Sequence, residues 1–146
     1  MSHTRKLIRD NVISTLTGLT TTGSKVYGSR VYPLAANRLP GICVYTKQEV
    51  SEYATNVRPR TLLRTVTVMV EVYVQATTSY DDDLDTIASE IEIALAADVT
   101  RGGYAKDTRI TSYDAEYAGD GDIPVASAMI QVEVLYSTPE NTPEAA

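Results

Sequence analysis

The sequence predicts an α+β fold, a mainly antiparallel β-sheet with two α-helices packed on one face, in the order α-β-β-β-α-β-β. Three observations predict it. From Val66 to Val74 every second residue is valine, so these valines share one face of an extended strand. In "VASAMIQVEVLYS", Ala126, Ala128, Ile130, Val132 and Val134 repeat the alternation. The segments "HTRKLIRDNVISTLTGL" and "SYDDDLDTIASEIEIALAADV" carry apolar residues at helical spacing instead. Helices with one apolar stripe and strands with one apolar face bury each other best as a helix layer on a sheet.

The first helix rests on Ile8, Val12 and Leu16 at i, i+4, i+8, with Leu7 and Ile13 beside them. Thr4 or Ser2 is expected to cap its start, and Gly18 to end it. Arg5 and Lys6 fall in its first turn, where the helix dipole disfavours cations. Residues 26–32 read as a short strand interrupted by Gly28, and "GICVYTKQE" as a second with Ile42, Val44 and Thr46 on one face. The polar, aperiodic "VSEYATNVRPR" reads as a long hairpin loop.

The valine strand follows. Thirteen or more residues at about 3.3 Å each span about 40 Å, so part of it is expected to reach beyond its own sheet. Asp81 or its neighbours are expected to cap the second helix, whose buried stripe is Leu84, Ile87, Ala88, Ile91, Ala94 and Leu95. Gly102 and Gly103 stop it. "DTRITSYDAEYAG" is a strand, "DGDIP" a turn and "VASAMIQVEVLYS" the last strand. Residues 1–137 are expected to form a single domain, and "TPENTPEAA" at 138–146 a disordered C-terminal segment.

The chain has 146 residues, 43% hydrophobic and 22% charged, enough for a real core. Its ten aromatics are all tyrosine, so each buried ring carries a hydroxyl that needs a partner. Cys43 is the one cysteine, which excludes an internal disulfide and suits a buried small hydrophobe in a reducing compartment. The N-terminus lacks a signal-peptide core, and no run is long enough to span a membrane. The expectation is a soluble protein made inside the cell.

Net charge is −6 but unevenly distributed: through Arg64 there are ten Lys or Arg and three Asp or Glu, and after it three and sixteen. Oppositely charged halves suit association of the chain with copies of itself. A nucleic-acid adaptor using Arg58, Arg60 and Arg64 is the alternative from another class, although no Gly-rich or aromatic-interleaved basic block is present.

No catalytic or cofactor site is read. One histidine, His3, and one cysteine exclude the familiar zinc sites and Cys/His nucleophile pairs. No Gly-rich phosphate loop precedes a helix. "DDDLD" is better explained as a helix N-terminus than as a magnesium site, and "GDGD" at 119–122 lacks the spacing of a calcium loop. The least explained feature is the second face of the two best strands. Met69, Glu71, Tyr73 and Gln75 on one, with Met129, Gln131 and Glu133 on the other, are neither apolar enough for a second core nor charged enough for idle surface.

The order of elements, with the segments "HTRKLIRDNVISTL", "LPGICVYTKQEVSEY", "TVTVMVEVYVQA" followed by "DDDLDTIASEIEIAL", and "DAEYAGDGDIPVASAMIQVEVLY", resembles the tail terminator proteins of long-tailed phages, of the lambda-like minor tail protein U type. The sequence departs from that pattern in its longer "VSEYATNVRPR" loop and its Pro-containing C-terminal segment, so contacts made there do not carry over. The resemblance implies a virion protein assembled in the host cytoplasm, without cofactor or reaction. It implies a ring, typically hexameric, at the head-proximal end of the tail, touching the tail tube protein, the head-tail connector protein and, transiently, DNA passing through the lumen. Another connector or tail tube component is the nearer rival. On this reading Arg58, Arg60 and Arg64 belong to a subunit or tube interface. The semi-polar face of Met69, Glu71, Tyr73, Gln75, Met129, Gln131 and Glu133 then meets the lumen, a neighbouring subunit or plain solvent.

Overall fold

The computed structural model describes residues 2–28, 39–75, 79–118 and 124–144. Its elements are α1 (Thr4–Leu16), β1 (Val26–Tyr27), β2 (Gly41–Tyr53), β3 (Thr61–Gln75), α2 (Tyr80–Ala96), β4 (Asp107–Ala118) and β5 (Val125–Pro139). They form one five-stranded sheet in the order β1-β2-β3-β5-β4. Every pairing is antiparallel except that of β1 with β2. The α+β fold and the order of elements are as expected.

The valine alternation sets the architecture. Val66, Val68, Val70, Val72 and Val74 are buried in one core with Ile42 and Val44 of β2 and Ala126 to Val134 of β5. Ile8, Val12 and Leu16 of α1, and Leu84, Ile87, Ala88, Ile91 and Leu95 of α2, close that core. Both helices therefore pack on the valine face, α1 over β1 and β2, α2 over β3, β5 and β4.

Several boundaries differ from expectation. His3 caps α1, its Nδ1 accepting from the Arg5 N–H at 3.0 Å, while Thr4 turns inward to Pro143. Ser79 stands at the α2 N-cap but makes no side-chain cap hydrogen bond, and Asp81, Asp82 and Asp83 lie in the first turn, where their charge suits the dipole. The first four residues of the expected hairpin loop are strand: β2 continues to Tyr53, paired with Leu62, leaving 54–60 as the connection. β3 does not overhang its sheet, because β5 matches it residue for residue from Thr61 opposite Pro139 to Gln75 opposite Val125. Of the expected strand at 26–32, Val26 and Tyr27 are strand, and 29–38 lie outside the described residues, as does most of "DGDIP".

The C-terminal segment is also corrected. β5 runs two residues past 137, and the Glu140 N–H donates to the Arg60 carbonyl at 2.7 Å. Thr4 donates from its N–H and its hydroxyl to the Pro143 carbonyl, at 3.0 and 2.8 Å. Backbone groups bonded at both ends hold residues 138–143 to the domain; 145–146 lie outside the described residues.

Candidate functional site

Two features collect polar chemistry inside the fold. The first lies where α1 begins, at the far end of the valine face. A bulge in β2 between Thr46 and Gln48 shifts the alternation, so that Glu49 sits opposite Val66 and turns toward the helices. Arg64 has the parity of Val66 and points the same way. Glu49 Oε2 accepts from Arg5 Nη1 at 2.7 Å and from Arg64 Nη1 at 3.2 Å, and its Oε1 accepts from the Tyr136 hydroxyl. Arg64 Nε also donates to Thr138 Oγ1 at 3.0 Å, and Arg9 Nη1 to Thr46 Oγ1 at 3.1 Å. Burial, then the Glu49 bond, pushes the Tyr136 hydroxyl well above its ordinary pKa, so it stays a donor. This cluster explains Arg5 in the first turn of α1: its partner is a carboxylate of the sheet.

The three arginines assigned to an interface are thus not equivalent. Arg64 is buried and belongs to the network. Arg60 is gripped by Glu140, whose carboxylate accepts from the Arg60 backbone N–H and from Nε at 3.1 Å, and its guanidinium stacks over Tyr53 at 4.1 Å. Those bonds to Arg60 hold the Glu140 carboxyl below its ordinary pKa. Arg58, in the connection, is exposed. The three therefore differ in setting: Arg64 secures the sheet to α1, the half-buried Arg60 secures the C-terminal segment, and Arg58 is the exposed one.

The second polar feature corrects the reading of the opposite face. Met69, Glu71 and Tyr73 are buried, Glu71 to 1% exposure. Cys43 and Tyr73 form a small apolar cluster there with Tyr27, Leu39 and Val125. Glu71 accepts from the Tyr45 hydroxyl at 2.6 Å and from the Tyr73 hydroxyl. The semi-polar composition therefore describes an interior in which a carboxylate satisfies two tyrosines, not a surface awaiting a partner. The rest of the face is open: Gln75 is exposed, and Met129, Gln131 and Glu133 are half-buried. Glu133 pairs across strands with Arg109, whose Nε bonds Asp107 at 2.8 Å and holds that carboxyl below its ordinary pKa.

The flanks of the molecule carry features the sequence reading missed. On β4, every side chain from 109 to 117 except the half-buried Ser112 is exposed, Ile110, Tyr113 and Tyr117 included. Between β4 and α2 lies a groove of about 280 Å³ lined by Asp85, Ala88, Glu92, Ile110, Tyr113 and Ile130. Ile93 on α2 is 70% exposed, and Val50 and Val57 at the β2–β3 end are 63% and 80% exposed. Ile93 was findable, since it falls off the stripe that runs through Leu84, Ile87, Ile91 and Leu95. The flanks also differ in charge. α2 carries Asp81, Asp82, Asp83, Asp85, Glu90 and Glu92 and no base, whereas α1 carries Arg5, Lys6 and Arg9 against Asp10. Among the described residues no three His, Cys, Asp or Glu stand together in a way that could hold a metal ion, and no helix is long and apolar enough to cross a membrane.

Comparison with known proteins places this geometry. No curated protein matches the chain. Among solved structures, a chain described as "Virion of native gene transfer agent (GTA) particle" is similar, at 15% identity over 91% of this chain and 92% of that chain, with a TM-score of 0.40. The model of the phage minor tail protein U family matches residues 3–136, nearly the whole described domain. The chain therefore belongs to the phage minor tail protein U family: it is a structural protein of the phage tail, located in the virion and in contact there with other structural proteins of the phage.

Proposed function

We propose that the protein forms a closed ring, hexameric as the resemblance implies, on the head-proximal end of the tail tube. There it stops tube polymerisation and offers a surface to the head-tail connector protein. The observation that supports the ring most is the division of charge between the flanks of the helix-bearing face: α1, with its excess of bases, lies over β1 and β2, and α2, whose charged residues are all acidic, lies over β3, β5 and β4. A surface that meets a different surface on the next copy generates a ring when the rotation closes. Opposite charges on the two flanks favour that head-to-tail register and disfavour like-to-like pairing.

In this arrangement the open part of the face opposite the helices, with Gln75, Gln131 and Glu133, turns toward the lumen. Carboxylates repel phosphate, so DNA in transit slides past without being held. Met69, Glu71 and Tyr73 support that wall from within. No reaction and no cofactor is required. A nucleic-acid adaptor fits less well, because Arg60 and Arg64 are already engaged by carboxylates.

Negative-stain imaging of the purified protein, alone and mixed with tail tubes, tests the proposal. Closed rings seated at one end of each tube are expected. Open-ended polymers of this protein would make it a tube subunit, and protein that stays monomeric with tubes present would overturn the reading.

A further inference from the structure

Among the described residues the sheet ends in two edges that are wholly or largely unpaired. On one side β4 runs for 12 residues, and no strand among the described residues pairs with its outer edge. On the other side β1 covers β2 only at Ile42 and Cys43. The stretch 46–53 of β2 has β3 on its inner side and, among the described residues, no strand on its outer side. Long exposed edges are templates for strand addition, and isolated domains usually shorten or cover them.

The two edges complement each other in direction, and the helices beside them in charge. β2 is antiparallel to β3, β3 to β5 and β5 to β4. A β4 laid beside the β2 of a like-oriented neighbour is therefore antiparallel to it, and the alternation of the sheet continues unbroken across the joint. The acids of α2 flank β4, whereas the α1 bases Lys6 and Arg9 flank β2; on the edges themselves β4 carries Asp114 and Glu116, and β2 carries Lys47 and the exposed Glu52. Two β4 edges brought together would set acid against acid.

We infer that the β4 edge of one copy adds to the 46–53 edge of the next, so that one sheet runs on through the whole assembly. This rests on the ring proposed above and specifies its joint. The main chain supplies the hydrogen bonds. The exposed Tyr113 and Tyr117 lie beside the joint on the helix side, where the incoming α1 flank covers them.

Cysteine pairing tests the joint. Gln48, Val50 and Glu52 on β2 share the open face with Ser112, Asp114 and Glu116 on β4. Each is replaced singly by Cys in the full chain, and every β2 variant is mixed with every β4 variant under mild oxidation. Native Cys43 is buried, and Ser89→Cys on the exposed face of α2 sets the background. The expected result is that at least one mixture yields intersubunit disulfides several-fold above that background, while neither component does so alone. Disulfides formed by a β4 variant alone mean a twofold β4–β4 contact and overturn the inference. Rings visible by negative stain with no mixture above background overturn the inference and leave the ring standing. No ring in any sample, alone or with tubes, overturns both.

Discussion

Arg64 and Glu49 meet on the helix side of the sheet, their side chains 3.2 Å apart and only 10% and 9% exposed. Glu49 is also the acceptor for Arg5 and Tyr136, so one carboxylate joins β2, β3, β5 and α1. Removing one member of a buried charged network leaves the others desolvated and unpaired. Glu49→Ala is therefore expected to cost about 3 kcal/mol, read as a fall in the urea midpoint. Arg58→Glu, in the exposed connection, is expected to change stability by less than about 0.5 kcal/mol while weakening assembly in sedimentation. Equal losses from both substitutions would refute this division of roles.

Val70 lies at the centre of the valine face, opposite Val44 on one side and Ile130 on the other, and is fully buried. Val70→Ala removes two methyl groups' worth of packing and leaves a void that rigid neighbours fill poorly. The expected loss is about 2 kcal/mol, measured by urea denaturation with an unchanged slope. A change within error would mean that the core does not close on this residue.

The C-terminal segment is expected to contribute to folding. Ending the chain at Ser137 removes Thr138 from Arg64, Glu140 from Arg60 and the Pro143 carbonyl from Thr4. Losing these bonds together, the truncated protein should melt several degrees lower. An unchanged melting temperature would return 138–146 to the status of a disordered appendage.

The valine strand, the last strand and both helices were legible because each is a periodic pattern that burial enforces locally. The C-terminal segment was not, because "TPENTPEAA" reads as disorder by composition and is ordered only by partners about 80 and 140 residues away, as the separations of Glu140 from Arg60 and Pro143 from Thr4 show. Glu49 was hidden by the bulge after Thr46, which reverses its face and leaves no mark in the pattern. Arg64 could have been placed, since its spacing from Val66 puts it on the helix side. Glu71 was misplaced because alternation tells which face a residue is on, not whether that face is covered. Tyr27 and Leu39, which pack against the cluster on its face, come from outside both of the strands that defined it.

His3 makes the start of α1 sensitive to pH. Its Nδ1 can accept from the Arg5 N–H only while it is unprotonated. Burial, then the charges of Arg5 and Arg64, hold its pKa below the ordinary histidine value. The folded protein thus binds the proton less readily than the unfolded chain. The contribution is present above the unfolded histidine value, about pH 6.5, and is lost as pH falls through the lower folded value. His3→Asn keeps a capping acceptor that does not titrate. The variant is expected to flatten the stability profile below about pH 6.5, and parallel profiles for the two proteins would rule the histidine out as the cause.

Glu71 and Glu133 lie on the same face of the sheet but differ in what surrounds them, and charge reversal should separate them. Glu71 is sealed and accepts from Tyr45 and Tyr73. A lysine there removes the acceptor that both hydroxyls use and buries an ammonium in its place, so Glu71→Lys is expected to abolish soluble, folded protein. Glu133 is half-buried beside Arg109. Glu133→Lys puts like charges opposite each other at a cost of about 0.5 kcal/mol, and the fold should survive. If the open part of the face lines the lumen, the new lysine faces DNA phosphates in transit and holds them. Phage assembled with Glu133→Lys should then lose infectivity well beyond its small loss of melting temperature, and Glu133→Gln should not. Full infectivity of the lysine variant would place Glu133 on a surface that neither DNA nor a neighbouring copy touches.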